Sequence, residues 1–224
     1  MESDLVEIRD GTKLLMRPIE PGDKGALAAG FEALSPESRY RRFFAPLARL
    51  SDMDLRYLTE VDHSNHEAII AFDPETGGTA GVARFVRTPE PTIAEVAVTV
   101  VDDWQGRGVA TAILEQLVVR AREEGIDHFV AIILEENDAA IELFEALAAN
   151  DPTPARKDGN LELLIELPGE GEPMLAGTTL ARALQAAARG VPMNPWRLLK
   201  HRVHETAEHI VPEPPESAGE GSQP

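Results

Sequence analysis

The chain has 224 residues, no cysteine, and 39 acidic against 21 basic side chains, a formal net charge of −18. This composition excludes disulfides, thiolate metal sites and a cysteine nucleophile, and so acidic a surface repels nucleic-acid phosphates. With 43% apolar and 27% charged residues the chain suits one globular domain with a sizeable core plus an appendage. No run approaches the length of a membrane-spanning helix, and the charged start MESDLVEIRD lacks the basic and apolar regions of a secretory signal. A cytoplasmic protein without a membrane partner is therefore expected. Residues up to Leu167 hold 32 acidic and 16 basic side chains, a balance of −16. Such a surface either attracts a cationic substrate such as an amine or only keeps the chain soluble.

In chain order, KLLMRPI reads as the first strand, ended by Pro18. Pro21 opens a helical segment with apolar Leu27, Phe31 and Leu34. SPESRYRRFF follows as a capped helix, with Ser35 at the N-cap and Pro36 at the first helical position. SDMDLRYLTE offers another capped start at Ser51, with Met53, Leu55 and Leu58 available to the core. EAIIAF and TAGVARFVR flank the turn-rich DPETGG and predict a hairpin. TIAEVAVTVV is long and apolar enough for a central strand covered on both faces. A helix over 107–124, a strand HFVAIIL, a helix beginning near Asn137 and a last strand LELLIEL complete the pattern. The fold class is α/β, with a mixed sheet whose central strand feeds a Gly-rich turn.

The domain is expected over 1–167, a linker over 168–176, a helical extension over 177–211 and a disordered tail over 212–224. Within the extension, Trp196, Leu199, Val203, Ala207 and Ile210 form an amphipathic stripe. That stripe either packs back on its own domain or docks a second copy or another partner.

The Gly-rich turn DDWQGRGVAT sets the functional question. It lacks the Lys and Ser or Thr of a P-loop, and it lacks the third glycine of a dinucleotide fingerprint, having Thr111 there. Small residues between a strand and a helix leave successive backbone N–H groups uncovered, so a pyrophosphate could sit on the helix N-terminus. The alternative is a turn built only for tight packing.

At Gln105, Gly108 and Ala110 the chain resembles the GNAT acyltransferases, whose signature places Gln or Arg, Gly, and Gly or Ala at these spacings. The resemblance runs from about Leu14 to Leu167 and includes AGVARFV, AEVAVTV and NDAAIELFEAL. LSPESRYRRFF and AEVAVTVVDDWQGRGVA look most like bacterial Pat-type protein-lysine acetyltransferases. The resemblance implies acetyl-CoA as co-substrate, its pyrophosphate held by Gln105, Gly106, Arg107, Gly108, Val109, Ala110 and Thr111. It further implies that the pantetheine arm meets the backbone of Val98 and Val100 and that Asn137 contacts the same arm. Asn137 also reads as a helix N-cap, and the two roles are compatible.

Acetyl transfer to an amine makes its own demands. A lysine-like amine is protonated at neutral pH and needs a base, and the thioester oxygen needs a pre-placed N–H donor. No metal is required. Glu95, the only ionisable residue between Thr92 and Val101, is the catalytic candidate, and burial among apolar neighbours would raise its pKa. The alternative is a solvent-facing glutamate near a strand end. Many relatives carry a tyrosine that protonates the leaving thiolate seven residues after the asparagine; here Phe144 stands there and reads as core.

His63 and His66 could line a substrate entrance, a metal pair lacking an evident third ligand. Arg39, Arg41, Arg42 and Arg49 are read chiefly as partners of local carboxylates, with a phosphate or a protein substrate as alternatives. The expected activity is N-acetylation of a primary amine, with protein lysine ahead of a small-molecule amine. A non-catalytic acyl-CoA-sensing module is the reading from another class.

Overall fold

The computed structural model describes residues 3–157 and 159–169. The linker beyond 169, the helical extension, the tail and the stripe around Trp196 lie outside the described residues. Strands β1 (Asp4–Glu7) and β2 (Lys13–Pro18) lead through a 3-10 turn (Pro21–Asp23) into three short helices. These are α1 (Lys24–Glu32), α2 (Pro36–Phe43) and α3 (Asp52–Thr59). Strands β3 (His66–Phe72), β4 (Thr79–Arg87) and β5 (Ile93–Val100) follow, then a second 3-10 turn (Asp102–Trp104) and α4 (Val109–Glu123). The described residues continue with β6 (His128–Leu134), α5 (Asp138–Leu147), β7 (Thr153–Lys157) and β8 (Asn160–Glu166).

Eight strands form one sheet in the order β1-β2-β3-β4-β5-β6-β8-β7, antiparallel except for the β5–β6 pair. Period-2 alternation sorts the side chains onto two faces. Ile69, Ala71, Ala83, Phe85 and Val96 join the α4 residues Ile113, Leu114 and Leu117 in the larger core. Ala68 and Ile70 face the other way, onto Leu27 of α1 and Leu58 of α3. Both faces of the central strands are therefore covered, which is why these strands read as near-continuous apolar runs.

The capping signals in the sequence operate as written. Ser35 Oγ accepts from the Ser38 N–H, and Ser51 Oγ accepts from the Asp54 N–H in a capping box. The core expectation for α3 needs correction. Leu58 is buried and Leu55 packs against it, but Met53 is 57% exposed because it falls on the helix face turned from the sheet. Strands β1 and β7 were not anticipated. Each is a short edge strand, DLVE or TPARK, without an apolar run to announce it.

Gly81 marks the point where α4 presses closest to the sheet. A Cβ there would stand 2.9 Å from Thr99 O across the ladder and 3.1 Å from Ile113 Cδ1 of α4. Gly25, at the start of α1, faces open space. We expect Gly81→Ala to lower the unfolding free energy by roughly 1–3 kcal/mol through overpacking. Gly25→Ala should raise it by about 0.5–1 kcal/mol through reduced chain entropy. Urea unfolding of the two variants measures both.

Candidate active site

The β5–β6 pairing stops early. It runs in register from Ile93↔His128 to Val96↔Ala131 and ends there. From Ala97 to Val100, β5 keeps only β4, while Ile132 to Leu134 of β6 keep only β8. Backbone direction decides what the gap receives. Val101 N–H donates to Ala80 O on the β4 side, and Thr92 O accepts from Asp127 and His128 on the β6 side. Because N–H and C=O alternate sides along a strand, Val96, Val98 and Val100 point their backbone groups toward β6. Val96 still belongs to the ladder, so Val98 is the first residue whose N–H and C=O face the opening. Val98 and Val100, which the sequence singled out, share this orientation.

The Gly-rich turn continues from that opening. Gly106 and Gly108 both take positive φ, 72° and 97°. Gly108 is the N-cap of α4 with no side-chain cap, and the first intrahelical bond runs from Ala112 N–H to Gly108 O. Among the described residues, none of the six N–H groups from Gly106 to Thr111 makes a well-formed hydrogen bond to a protein acceptor. They form a run of free donors at the positive end of a 15-residue helix, an arrangement suited to a phosphate group.

Side chains brace the turn from outside. Arg107 folds away, its Nε donating to Asp10 at 2.6 Å and its Nη2 to Thr12 Oγ1 at 2.7 Å, with Trp104 stacked 4.2 Å beneath it. Arg9 donates to Gly106 O at 3.0 Å. Gln105 Nε2 donates to Val100 O, Asp102 and Ser38. The Ser35 N–H donates to Asp102, so the start of α2 is tied to the same turn. Among the predicted positions, Gly106 and Gly108–Thr111 offer bare backbone, whereas Gln105 and Arg107 have their side chains occupied in shaping the loop. Asn137 caps α5, its Oδ1 accepting from Ala140 N–H at 3.3 Å. Phe144 is buried in the core.

Glu95 sits on the face opposite Val96 and Val98, in line with Ala97 and Thr99, since the β4–β5 register is unbroken from Gly81↔Val100 to Arg87↔Ala94. This is the face of α1, α2 and α3. There Ala97, Thr99, Val82 and Arg84 floor a small cavity that opens to solvent, roofed by Phe31, Leu34, Arg42 and Phe43 among others. Burial pushes the Glu95 carboxyl above the usual carboxylate range; the nearby Arg42 charge opposes this and Glu162 adds to it.

Arg84 was not anticipated as a site residue, although an arginine within the apolar TAGVARFVR is itself a signal. It is buried, donates to His66 Nε2 at 3.0 Å and to Leu58 O at 3.2 Å, and burial pushes its pKa down to about 9, Arg42 adding to the effect. The basic cluster is dispersed rather than paired throughout with carboxylates. Arg39 donates to the carbonyls of Glu32 and Leu34, at the end of α1 and in the turn before α2, and to that of Ala48 in the loop after α2. Arg41 pairs with Glu37. The histidines serve the framework: His66 supports Arg84, and His63 meets the fully buried Glu67. Among the described residues, no group of three or more His, Cys, Asp or Glu could hold a metal.

An early-splaying parallel pair, a free-amide turn at the next helix and a carboxylate on the splaying strand suit a transferase that takes a phosphate-bearing co-substrate. The model of the Acetyltransferase (GNAT) family matches residues 31–148, and the chain belongs to that family. Acetyltransferase Pat of Mycolicibacterium smegmatis is 36% identical over 145 residues, 64% of this chain and 43% of the relative, so the chain spans under half of that protein. The GNAT domain of S. lividans PAT superposes with a TM-score of 0.68 at 35% identity, covering 74% of this chain and 97% of that one. The yncA protein of Salmonella typhimurium, solved with its cofactor acetyl-CoA, shares the fold at 19% identity and a TM-score of 0.55, over 71% of this chain and 97% of that one.

Two outcomes test the site's construction. Gly108→Ala places a Cβ 3.0 Å from Arg9 Cβ on a backbone at φ 97°, so it should cost roughly 1–3 kcal/mol and weaken acyl-CoA binding together. Calorimetric binding and thermal melts measure the pair. His66 has its pKa lowered from 6.5 to about 4, by burial first and Arg84 second. The folded state thus prefers neutral His66, and the stability this contributes is present above pH 6.5 and lost as pH falls toward 4. His66→Gln, which keeps an acceptor for Arg84, should flatten the stability profile in that window.

Proposed function

We propose that this protein is an acetyl-CoA-dependent N-acetyltransferase that moves acetyl from the thioester to a primary amine by direct attack, and that it works in the cytoplasm. The observation that carries the reading is the pairing-free Val98 backbone together with the six free N–H groups of Gly106–Thr111 that follow it in the chain. The donor's pyrophosphate would sit on those amides and its pantetheine arm would complete the interrupted β5 edge, with Val100 and Asn137 alongside. The co-substrate supplies an activated acyl group whose thiolate is already a fair leaving group.

The chain's own groups do the rest. The Val98 N–H lies in the opening and can polarise the thioester oxygen as charge develops on it. Glu95 takes the amine proton from the opposite face, its raised pKa bringing it closer to neutrality and so making it a better base. Phe144, where a tyrosine acid would stand, leaves protonation of the thiolate to solvent. We take protein lysine as the acceptor, on the similarity to Pat proteins of M. smegmatis and S. lividans. The charge of −16 before residue 168 favours a small cationic amine as the second reading.

Glu95→Gln is the test. We expect turnover to fall by about 10²–10⁴-fold with acetyl-CoA affinity retained, and the acidic limb of the wild-type pH–rate profile to disappear. A carboxyl with a raised folded-state pKa destabilises the fold above that pKa, so the variant should be at least as thermostable at neutral pH. Unchanged turnover would remove Glu95 from the chemistry. Binding of acetyl-CoA with transfer to no peptide or small amine would point to a sensing module instead.

A further inference from the structure

The cavity under α1 and α2 has apolar walls, yet two guanidinium groups reach it. Arg42 and Arg84 both line it, beside Leu34, Phe43, Leu58 and Ala97. Arg84 is fixed by His66 and the Leu58 carbonyl, both neutral acceptors. Arg42 is half-buried and stacks on the Phe43 ring at 4.9 Å, but among the described residues no hydrogen bond or ion pair engages its guanidinium. Glu95 acts on it only at a distance, with no ion-pair contact within 4.0 Å. Two like charges with little water around them and no counter-anion in contact raise each other's energy, and an anion entering the cavity would relieve both. A guanidinium presents a planar fork matched to a carboxylate. The neighbouring walls are apolar, so they suit a short hydrocarbon body carrying one such group.

We propose that this cavity binds a carboxylate, through Arg42 with Arg84 behind it, on the substrate handled at Glu95. The carboxylate belongs either to the amine acceptor or to the far end of a dicarboxylic acyl chain. The inference rests on the transferase reading for its site but not for its measurement, since binding can be read without turnover.

Two arms separate the sources. In the first, acetyl-, butyryl- and succinyl-CoA are compared by calorimetry and by kcat/KM with a common amine. In the second, amino acids and their carboxamides are compared as acceptors, and as ligands of the CoA-bound protein. We expect the carboxylate-bearing member of one arm to be favoured by about 10–100-fold over its neutral analogue. We expect Arg42→Met to abolish that preference and Arg42→Lys to restore part of it. Preference in the first arm assigns the carboxylate to the acyl chain, and in the second to the acceptor. Should Arg42→Met not fold, Ala97→Leu, which narrows the cavity, must reduce the same preference. Equal binding and rates within both arms, or a preference unchanged in the Arg42 and Ala97 variants, overturns the proposal. Failure of transfer with every acceptor while the binding preference persists would count against the transferase reading alone.

Discussion

The site depends on a hydrogen-bond ladder that stops after four residue pairs. β5 and β6 lie parallel from Ile93 to Val96 and then follow different partners, one staying with β4 and the other with β8. An interior strand is thereby given an edge, whose Val98 backbone groups are left without a ladder partner. Each of the three directions around β5 then has its own use. Val96, Val98 and Val100 put their side chains into the α4 core, while Ala97 and Thr99 line the cavity and Glu95 lies on the same face of the strand. The backbone itself is left to face the gap. The two side-chain faces are opposite, and the backbone edge lies at right angles to both, so one strand presents three separate surfaces.

Buried charge in this domain falls into two kinds. Glu67 is fully buried but accepts from its neighbour's backbone at Ala68, meets His63 at 2.9 Å and pairs with Arg120 of α4 at 3.4 Å. Its polar capacity is engaged, and it joins β3 to α4 as a framework residue. Glu95 and Arg42 share a different condition. Each has lost water, each senses the other electrostatically, and neither is closed into an ion pair. Incomplete satisfaction of this kind costs stability, and folded proteins retain it chiefly where a ligand completes the set. The contrast separates a carboxylate whose partners are complete from one whose partners are not within the same sheet.

Much of the arrangement was legible in the residues. Long apolar strands, serine caps and the Gln105–Gly108–Ala110 spacing each carry a local physical cause, so pattern and structure coincide there. The edge strands β1 and β7 were not legible, because pairing with a neighbour rather than any internal periodicity makes them strands. The same holds for Met53, whose exposure depends on which way α3 is rolled against the sheet. At the site, Glu95 stood out as a lone charge in an apolar run, and Arg84 carried the same mark in β4. Arg42 could not be separated from Arg39 and Arg41 by composition. Only the packing of α2 over β5 distinguishes the guanidinium that enters the cavity from those that brace a turn or meet solvent.

The bond between Ser35 and Asp102 links two regions that chemistry would otherwise keep apart. Asp102 lies in the turn that leads to the free amides, and it accepts from the first residue of the segment carrying Arg42. Gln105 extends the link by reaching Ser38 and the end of β5 together. The loop that would receive one substrate and the wall that would receive the other are consequently held in one hydrogen-bonded unit centred on Asp102 and Gln105, so the position of each is fixed relative to the other.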